Sequence, residues 1–216
     1  MITHSKLQAV DFGVGHHLLG AFDGMKPEGN PKAFQEFLGR ADKLYFDAHL
    51  EGEPLIKHLS KKQGRLNLPL MTLHRLPGFR NEDTLAKVPK AMAYQQTLLK
   101  RFQIRMYPVM LSYQMQFFSW DMATLDEMQL AIYFHLRVNH QLNFPIKVNG
   151  EATEMLARVQ DSVNWLFSDA SVSTETGRLF VTSSGFDIFT LIIQNADVEL
   201  MLPSQIIIEP VETRLR

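Results

Sequence analysis

Hydrophobic and polar positions along the 216-residue chain change period several times, and each change predicts an element. Phe102, Ile104 and Met106 alternate with Gln103 and Arg105. Beyond Pro108, Leu111, Tyr113, Met115 and Phe117 oppose Met110, Ser112, Gln114 and Gln116. This period of two predicts a long strand or a hairpin pair within Leu98 to Trp120. Leu68 to Arg75 alternates in the same way, entered through Pro69 and ended by a Pro77-Gly78 turn. Asp121 to Asn139 switches to the helical period. Leu125, Met128, Ile132 and Leu136 step round one face, Thr124 can cap, and Asp126 and Glu127 suit the positive end of the helix dipole.

Extended character returns at Leu142 to Val148. Asn149-Gly150 is a preferred type I′ hairpin pair, so Glu151 to Phe167 is expected to run back as the partner strand. Thr176-Gly177 marks another turn, Leu179 to Gln194 a long β segment broken at Gly185, and Gln205 to Val211 a last strand. Asn81 to Lys90 reads as an irregular basic loop. Near the start, Asn30-Pro31 is a helix opening with Asn as cap and Pro at the first helical position. Phe34, Phe37 and Leu38 then share a face. Gly13, Gly15, Gly20, Gly24 and Gly29 interrupt what precedes, so Met1 to Asn30 reads as a loop-rich arm with one short helix, either a frayed terminus or a segment that docks on a neighbouring subunit. The expectation is an α+β fold: a mainly antiparallel sheet with one principal helix packed across it, plus an irregular helical and loop N-terminal arm. Residues 1–65 would form the arm and residues 66–216 the α+β domain.

Composition narrows the function classes. An apolar fraction of 45% with 15 Phe excludes disorder as the dominant state. The absence of Cys excludes disulfides, thiol nucleophiles, Cys-bearing zinc sites and iron–sulfur clusters. The opening Met1-Ile2-Thr3-His4-Ser5-Lys6 lacks the basic-then-apolar order of a secretory signal, and the longest apolar stretch, Ile188 to Ile193, is far short of a membrane span. The chain is expected to be made in a cytoplasm.

A net charge of −1 conceals an uneven distribution. Lys57 to Arg105 holds eleven Lys and Arg against Glu82 and Asp83, a balance of +9; Met106 to Arg216 holds six basic and thirteen acidic residues, a balance of −7. Two solvated faces of one domain, a head-to-tail contact between identical subunits, and a basic surface near nucleic acid all fit this split. The third lacks the interleaved aromatics and Gly-rich signatures of RNA-binding modules.

Little in the sequence offers chemistry. His16 and His17 are adjacent and point apart in a regular element, and His135 with His140 has a spacing that does not put two ligands on one helix face. His135 reads as a helix residue at a sheet edge or an interface. Asp11-Phe12-Gly13 spells the kinase magnesium tripeptide without the other kinase motifs. No phosphate-binding glycine loop occurs, Ser183-Ser184-Gly185 is no nucleophile elbow, and Asp126-Glu127 belongs to a helix start. No enzyme activity, cofactor or metal is expected. Tyr113, Phe117, Phe118 and Trp120 form an aromatic cluster that is either a two-sided core strand or, on one side, an interface. The 11 Met suit a forgiving core or an adaptable contact surface.

Four segments in order carry a resemblance. Pro69-Leu70-Met71-Thr72-Leu73-His74-Arg75 looks like a strand of neck and tail-completion proteins of long-tailed bacteriophages. Pro108 to Phe118 is similar to their following strand, Asp126-Glu127-Met128-Gln129-Leu130 to the helix after it, and Phe144-Pro145-Ile146-Lys147-Val148 to the strand after that. The resemblance covers the middle and end of the chain; the segment up to about Leu66 lies outside it. It implies a virion structural protein of the tail-terminator-like class, from a long-tailed, contractile-tailed phage, without an active site. Such a protein forms a ring, commonly a hexamer, at the head-proximal end of the tail. There it ends the tube or sheath and docks to the neck or connector, with DNA only as passing cargo in the lumen. A baseplate or other tail component, or a cellular α+β protein, are the alternatives. In a ring each subunit shows its neighbours two different faces, so complementary charge can set register. Arg75, Arg80, Lys87 and Lys90 from the basic segment, with Phe118 and Trp120 from the aromatic cluster, are therefore the candidate interface residues.

Overall fold

The computed structural model describes residues 6–40, 43–46, 68–81, 105–148, 151–160, 167–174, 177–194 and 198–200. In chain order these form α1 (Lys6–Leu19), a 3₁₀ turn (Gly20–Phe22), α2 (Lys32–Gly39), β1 (Leu44–Phe46), β2 (Leu70–Arg75), β3 (Arg80–Asn81), β4 (Arg105–Ser119), α3 (Met122–Val138), β5 (Gln141–Val148), β6 (Glu151–Val159), β7 (Ser168–Asp169), β8 (Val172–Thr174), β9 (Gly177–Gln194) and β10 (Val198–Leu200). The alternating segment after residue 104 is thus one strand of 15 residues, not a hairpin. It pairs antiparallel with β9 along its whole length, from Arg105 opposite Gln194 to Ser119 opposite Phe180.

Around this central pair the strand order is β1-β2-β4-β9-β6-β5-β10, with β3 on β4 and β7 and β8 on β9. Only β1 against β2 is parallel among the described pairs. The fold is therefore α+β with a mainly antiparallel sheet. Chain reversal at Asn149-Gly150 itself lies outside the described residues, but Val148 opposite Glu151 is the register that a two-residue loop requires.

Period two sorts the sheet into two faces. Val109, Leu111, Tyr113, Met115 and Phe117 of β4, with Phe186 and Ile188 of β9, line one face and join the main apolar core. The helices cover that face. Leu125, Met128 and Ile132 of α3 are 0% exposed and Leu136 is buried with them, so the predicted helix face is the one packed inward, against β4 and β9. Asp121 caps α3, its carboxylate accepting the amide N–H groups of Ala123 and Thr124. Thr124, expected as the cap, instead sits one turn in, 0% exposed, and donates its hydroxyl to Asp121.

The N-terminal segment differs most from expectation. Gly13 and Gly15 do not interrupt a helix; both are buried inside the 14-residue α1. Val10, Val14 and Leu18 recur at i, i+4, i+8 and enter the same core as α3 and the sheet, as do Phe22, Phe34 and Phe37. Phe22 meets Phe37 edge-on with ring centroids 5.0 Å apart. β1 adds a strand beside β2. The described residues of α1, the 3₁₀ turn, α2 and β1 therefore contribute to the same core and sheet, and the expected boundary at residue 65 itself lies outside the described residues. Pro31, not Asn30, is the cap residue of α2. Asn30 instead donates to the Lys26 carbonyl and accepts from Gln35.

Two further details differ. β9 runs unbroken through Gly185, which lies opposite Gln114 with its open side exposed. β6 ends at Val159 rather than continuing to Phe167. The Pro77-Gly78 turn interrupts the edge without reversing it. β2 and β3 follow one another along the same side of β4, and residues 76–79 bulge outward between them, with Gly78 at φ 92°. The predicted basic loop beyond Asn81 and the predicted strand at Gln205 to Val211 lie outside the described residues.

If the N-terminal helices belong to the core, Phe37→Ala should lower unfolding stability by about 3–5 kcal/mol and Met128→Ala by about 2–5. Glu36→Ala, on the exposed side of α2, should stay within about 0.5 kcal/mol. Urea unfolding of the three variants checks this. A neutral Phe37→Ala would return the segment to the status of an appendage.

Candidate functional site

Polar groups in this fold gather in three places. The first lies where α1 crosses the sheet. Asp11, almost one turn before Val14, points at β2 and β4, and its Oδ1 accepts Arg75 Nε at 2.9 Å and the Tyr113 hydroxyl at 2.8 Å. The side chains of Arg75 and Asp11 are 24% and 16% exposed. Burial pushes the Asp11 carboxyl up from its ordinary value, and the Tyr113 and Arg75 hydrogen bonds pull against that. Tyr113 is held well above its ordinary value, first by burial and then by the negative charge of Asp11. The arrangement clamps a helix to two strands. Arg75, expected at a subunit interface, is thus engaged inside its own chain, because its strand position puts it on the helix-covered face opposite Tyr113.

The second place is the other face of the sheet. Two apolar clusters flank it: Leu70, Phe118, Leu179 and Val181 at one end, Met110, Phe189 and Leu191 at the other. Between them runs a polar strip. Ser112 donates to Asp187 Oδ1 at 2.6 Å, Arg80 reaches Asp187 Oδ2 at 2.9 Å, and Gln114 donates to Ser183 at 2.9 Å. Arg80 is exposed, with its guanidinium ion-paired to Asp187. Phe118 is not: it is 0% exposed in the first cluster and belongs to the core. Lys87 and Lys90 lie outside the described residues.

The third place joins the C-terminal ends of α1 and α3. His17 Nε2–H donates to the Asn139 carbonyl at 2.8 Å, and the Asn139 side-chain amide donates to His135 Nδ1 at 3.3 Å. The two imidazoles stand 4.7 Å apart, centroid to centroid. His135 Nε2 is buried without a partner in hydrogen-bonding geometry. Burial lowers the His17 pKa to about 4, with the neighbouring His135 and His16 adding to the effect against the Asn139 hydrogen bond. His135 is lowered mainly by burial as well, against the His17 backbone and Asp23. Both rings are therefore held neutral. Adjacency of His16 and His17 does separate them, with His16 exposed and His17 turned inward. Among the described residues no group of three or more His, Asp or Glu is placed to hold a metal ion.

Large apolar side chains remain outside the core. Trp120, Met122, Leu130, Phe134 and Val138 are exposed on and beside α3, and Leu76 and Phe79 on the bulge between β2 and β3. Trp120, another of the candidate residues, is 50% exposed. The outer stripe of α3 was legible in principle, since Leu130, Phe134 and Val138 repeat at i, i+4, i+8 opposite the buried stripe. Asp11 and Asp187 had no local signal, since their side-chain partners lie more than 60 positions away, and Asn139 meets His17 from 122 positions away although its other partner, His135, is one turn back. No described helix is long and apolar enough to cross a membrane, which leaves strand-built membrane structures unaddressed.

Removing Asp11 should leave Arg75 and Tyr113 without their shared acceptor. Asp11→Ala is expected to cost about 2–4 kcal/mol, and Tyr113→Phe about 1, by chemical denaturation. The histidine pair sets a pH dependence. Each ring has a folded pKa below its unfolded value of about 6.5, so the unfolded chain binds more protons in between. The His17 contribution should be fully present above about pH 6.5 and lost progressively as pH falls toward about 4. Thermal unfolding of wild type and His17→Gln across this window should converge toward acid. Parallel curves would show that His17 does not titrate against folding.

No protein-family model matches the chain, and no curated protein matches it in sequence.

Proposed function

We propose that this chain is a non-enzymatic structural protein of a phage virion that acts by associating with copies of itself. The reading is a ring, hexameric in the resembled family, at the head-proximal end of the tail, ending the tube or sheath and docking to the neck. Assembly would take place in the host cytoplasm, and DNA would pass the lumen without specific contacts. The observation that carries this reading is the distribution of apolar surface: Leu76 and Phe79 project from the edge bulge, and Trp120 and Met122 from the start of α3, while the perturbed ionisable groups are engaged within the chain. Aromatic residues and Met are enriched at the cores of contact surfaces.

The order of elements supports the same reading. The four segments that resemble tail-completion proteins fall on β2, β4, α3 and β5, in that order. β2 and β4 are antiparallel neighbours, and α3 lies over β4. Arg80 beside Phe79 is already ion-paired with Asp187 of its own chain, so the apolar side chains of the bulge would supply the contact there. Exposed charge pairs contribute only about 0–1 kcal/mol each, so charge would set register while buried apolar groups supply most of the affinity.

Sedimentation velocity from about 0.05 M to about 0.5 M salt tests the proposal, together with DNA retardation in the same buffers. A closed oligomer that weakens as salt rises, and more so in Phe79→Ser, is the expected result. A monomer at every salt and concentration would remove the ring. A monomer that retards DNA of any sequence with a steep salt slope would replace it with a nucleic-acid-facing role.

A further inference from the structure

We infer that the outer face of α3 is a twofold contact with a second copy of this chain, the two helices lying antiparallel across the axis. The inference is independent of the ring. Leu130, Phe134 and Val138 are 47%, 61% and 76% exposed and form one i, i+4, i+8 ridge on the side away from the core. Such ridges pack into the grooves of another helix with axes about 8–10 Å apart.

Charge selects the occupant. Asp126 and Arg137 are both exposed. Eleven positions of about 100° each return Arg137 to within about 20° of Asp126 round the helix axis, so both stand on one flank of the ridge. Arg137 is held over the Tyr133 ring at 5.8 Å, on that same flank. An acid at one end and a base at the other end of one flank complement the same surface turned through a twofold axis, which keeps each flank facing its own copy.

The register agrees. When Leu130 of one helix lies opposite Phe134 of the other, the axis passes at position 132. The midpoint of Asp126 and Arg137 falls within half a residue of that point. One register therefore brings Leu130 onto Phe134 at the centre and Asp126 onto Arg137 at each rim. The antiparallel helix dipoles favour the same arrangement. An acidic or a basic partner would satisfy only one end of the flank.

Size-exclusion chromatography with light scattering on the full chain tests this. Wild type should show an even number of copies, and Phe134→Lys should halve the mass. Asp126→Arg and Arg137→Asp should each weaken association about tenfold, and the double variant should recover it, because in a twofold contact the exchanged charges meet again. A wild-type monomer at about 100 μM, or an unchanged mass in Phe134→Lys, would overturn the inference, as would a double variant no better than the single ones. The outcomes separate from those of the ring. A ring that keeps its mass in Phe134→Lys leaves the ring and removes the twofold contact; a dimer that falls to a monomer does the reverse.

Discussion

The pairing of β4 with β9 is the constraint on which the rest of the fold depends. Every described residue of β4 has a partner in β9, although α3 and four shorter strands intervene between them in the chain. Closing so long a loop costs entropy, but the cost grows only slowly with length, and a ladder of this extent returns it in backbone hydrogen bonds and cross-strand contacts. Register is fixed by burial. A slip of one residue would turn Leu111, Tyr113, Met115 and Phe117 away from the helices and bring Ser112, Gln114 and Gln116 under them.

Alternation made β4 legible, and helical spacing made the inner face of α3 legible, because each depends on residues within a few positions of one another. Gly13 and Gly15 misled for a physical reason. An isolated glycine lowers helix propensity by about 1 kcal/mol relative to alanine, and tertiary packing of Val10, Val14 and Leu18 outweighs that. Gly185 misled in the same way: its ladder is held by the neighbours on either side. Arg75 and Phe118 were legible as strand residues but not as to face partners, since what lies over each position depends on α1 and on β9. Trp120 stands just beyond the strand end, where alternation no longer binds it, and it is exposed.

Ionisable groups inside the fold divide by the price of desolvation. Asp11 keeps a guanidinium and a phenol hydroxyl within hydrogen-bond distance, so its charge is matched where α1 meets the sheet. His17 and His135 are held neutral by burial instead, against the pull of Asp23 on His135, and are linked through Asn139. Both arrangements tie the N-terminal helix to a later element, one at β2 and β4, the other at the end of α3. This is why α1 belongs to the domain despite its glycines. Neither arrangement presents an ionised group poised toward an open surface.

α3 carries the remaining asymmetry. Its inner ridge of Leu125, Met128, Ile132 and Leu136 is what folding requires, and a single buried stripe is enough to hold a helix on a sheet. A second apolar ridge on the opposite side adds nothing to the folded monomer and raises the tendency to associate. The exposed charges do not interrupt that ridge but flank it, Asp126 toward one end and Arg137 toward the other. Scattered charges would have served solubility better. Charges confined to the rim of an apolar ridge exclude wrong registers while leaving the contact itself dry. The surface of α3 thus fits the proposed twofold contact, and the same constraint that seats its inner face on β4 and β9 turns its outer face to the surface.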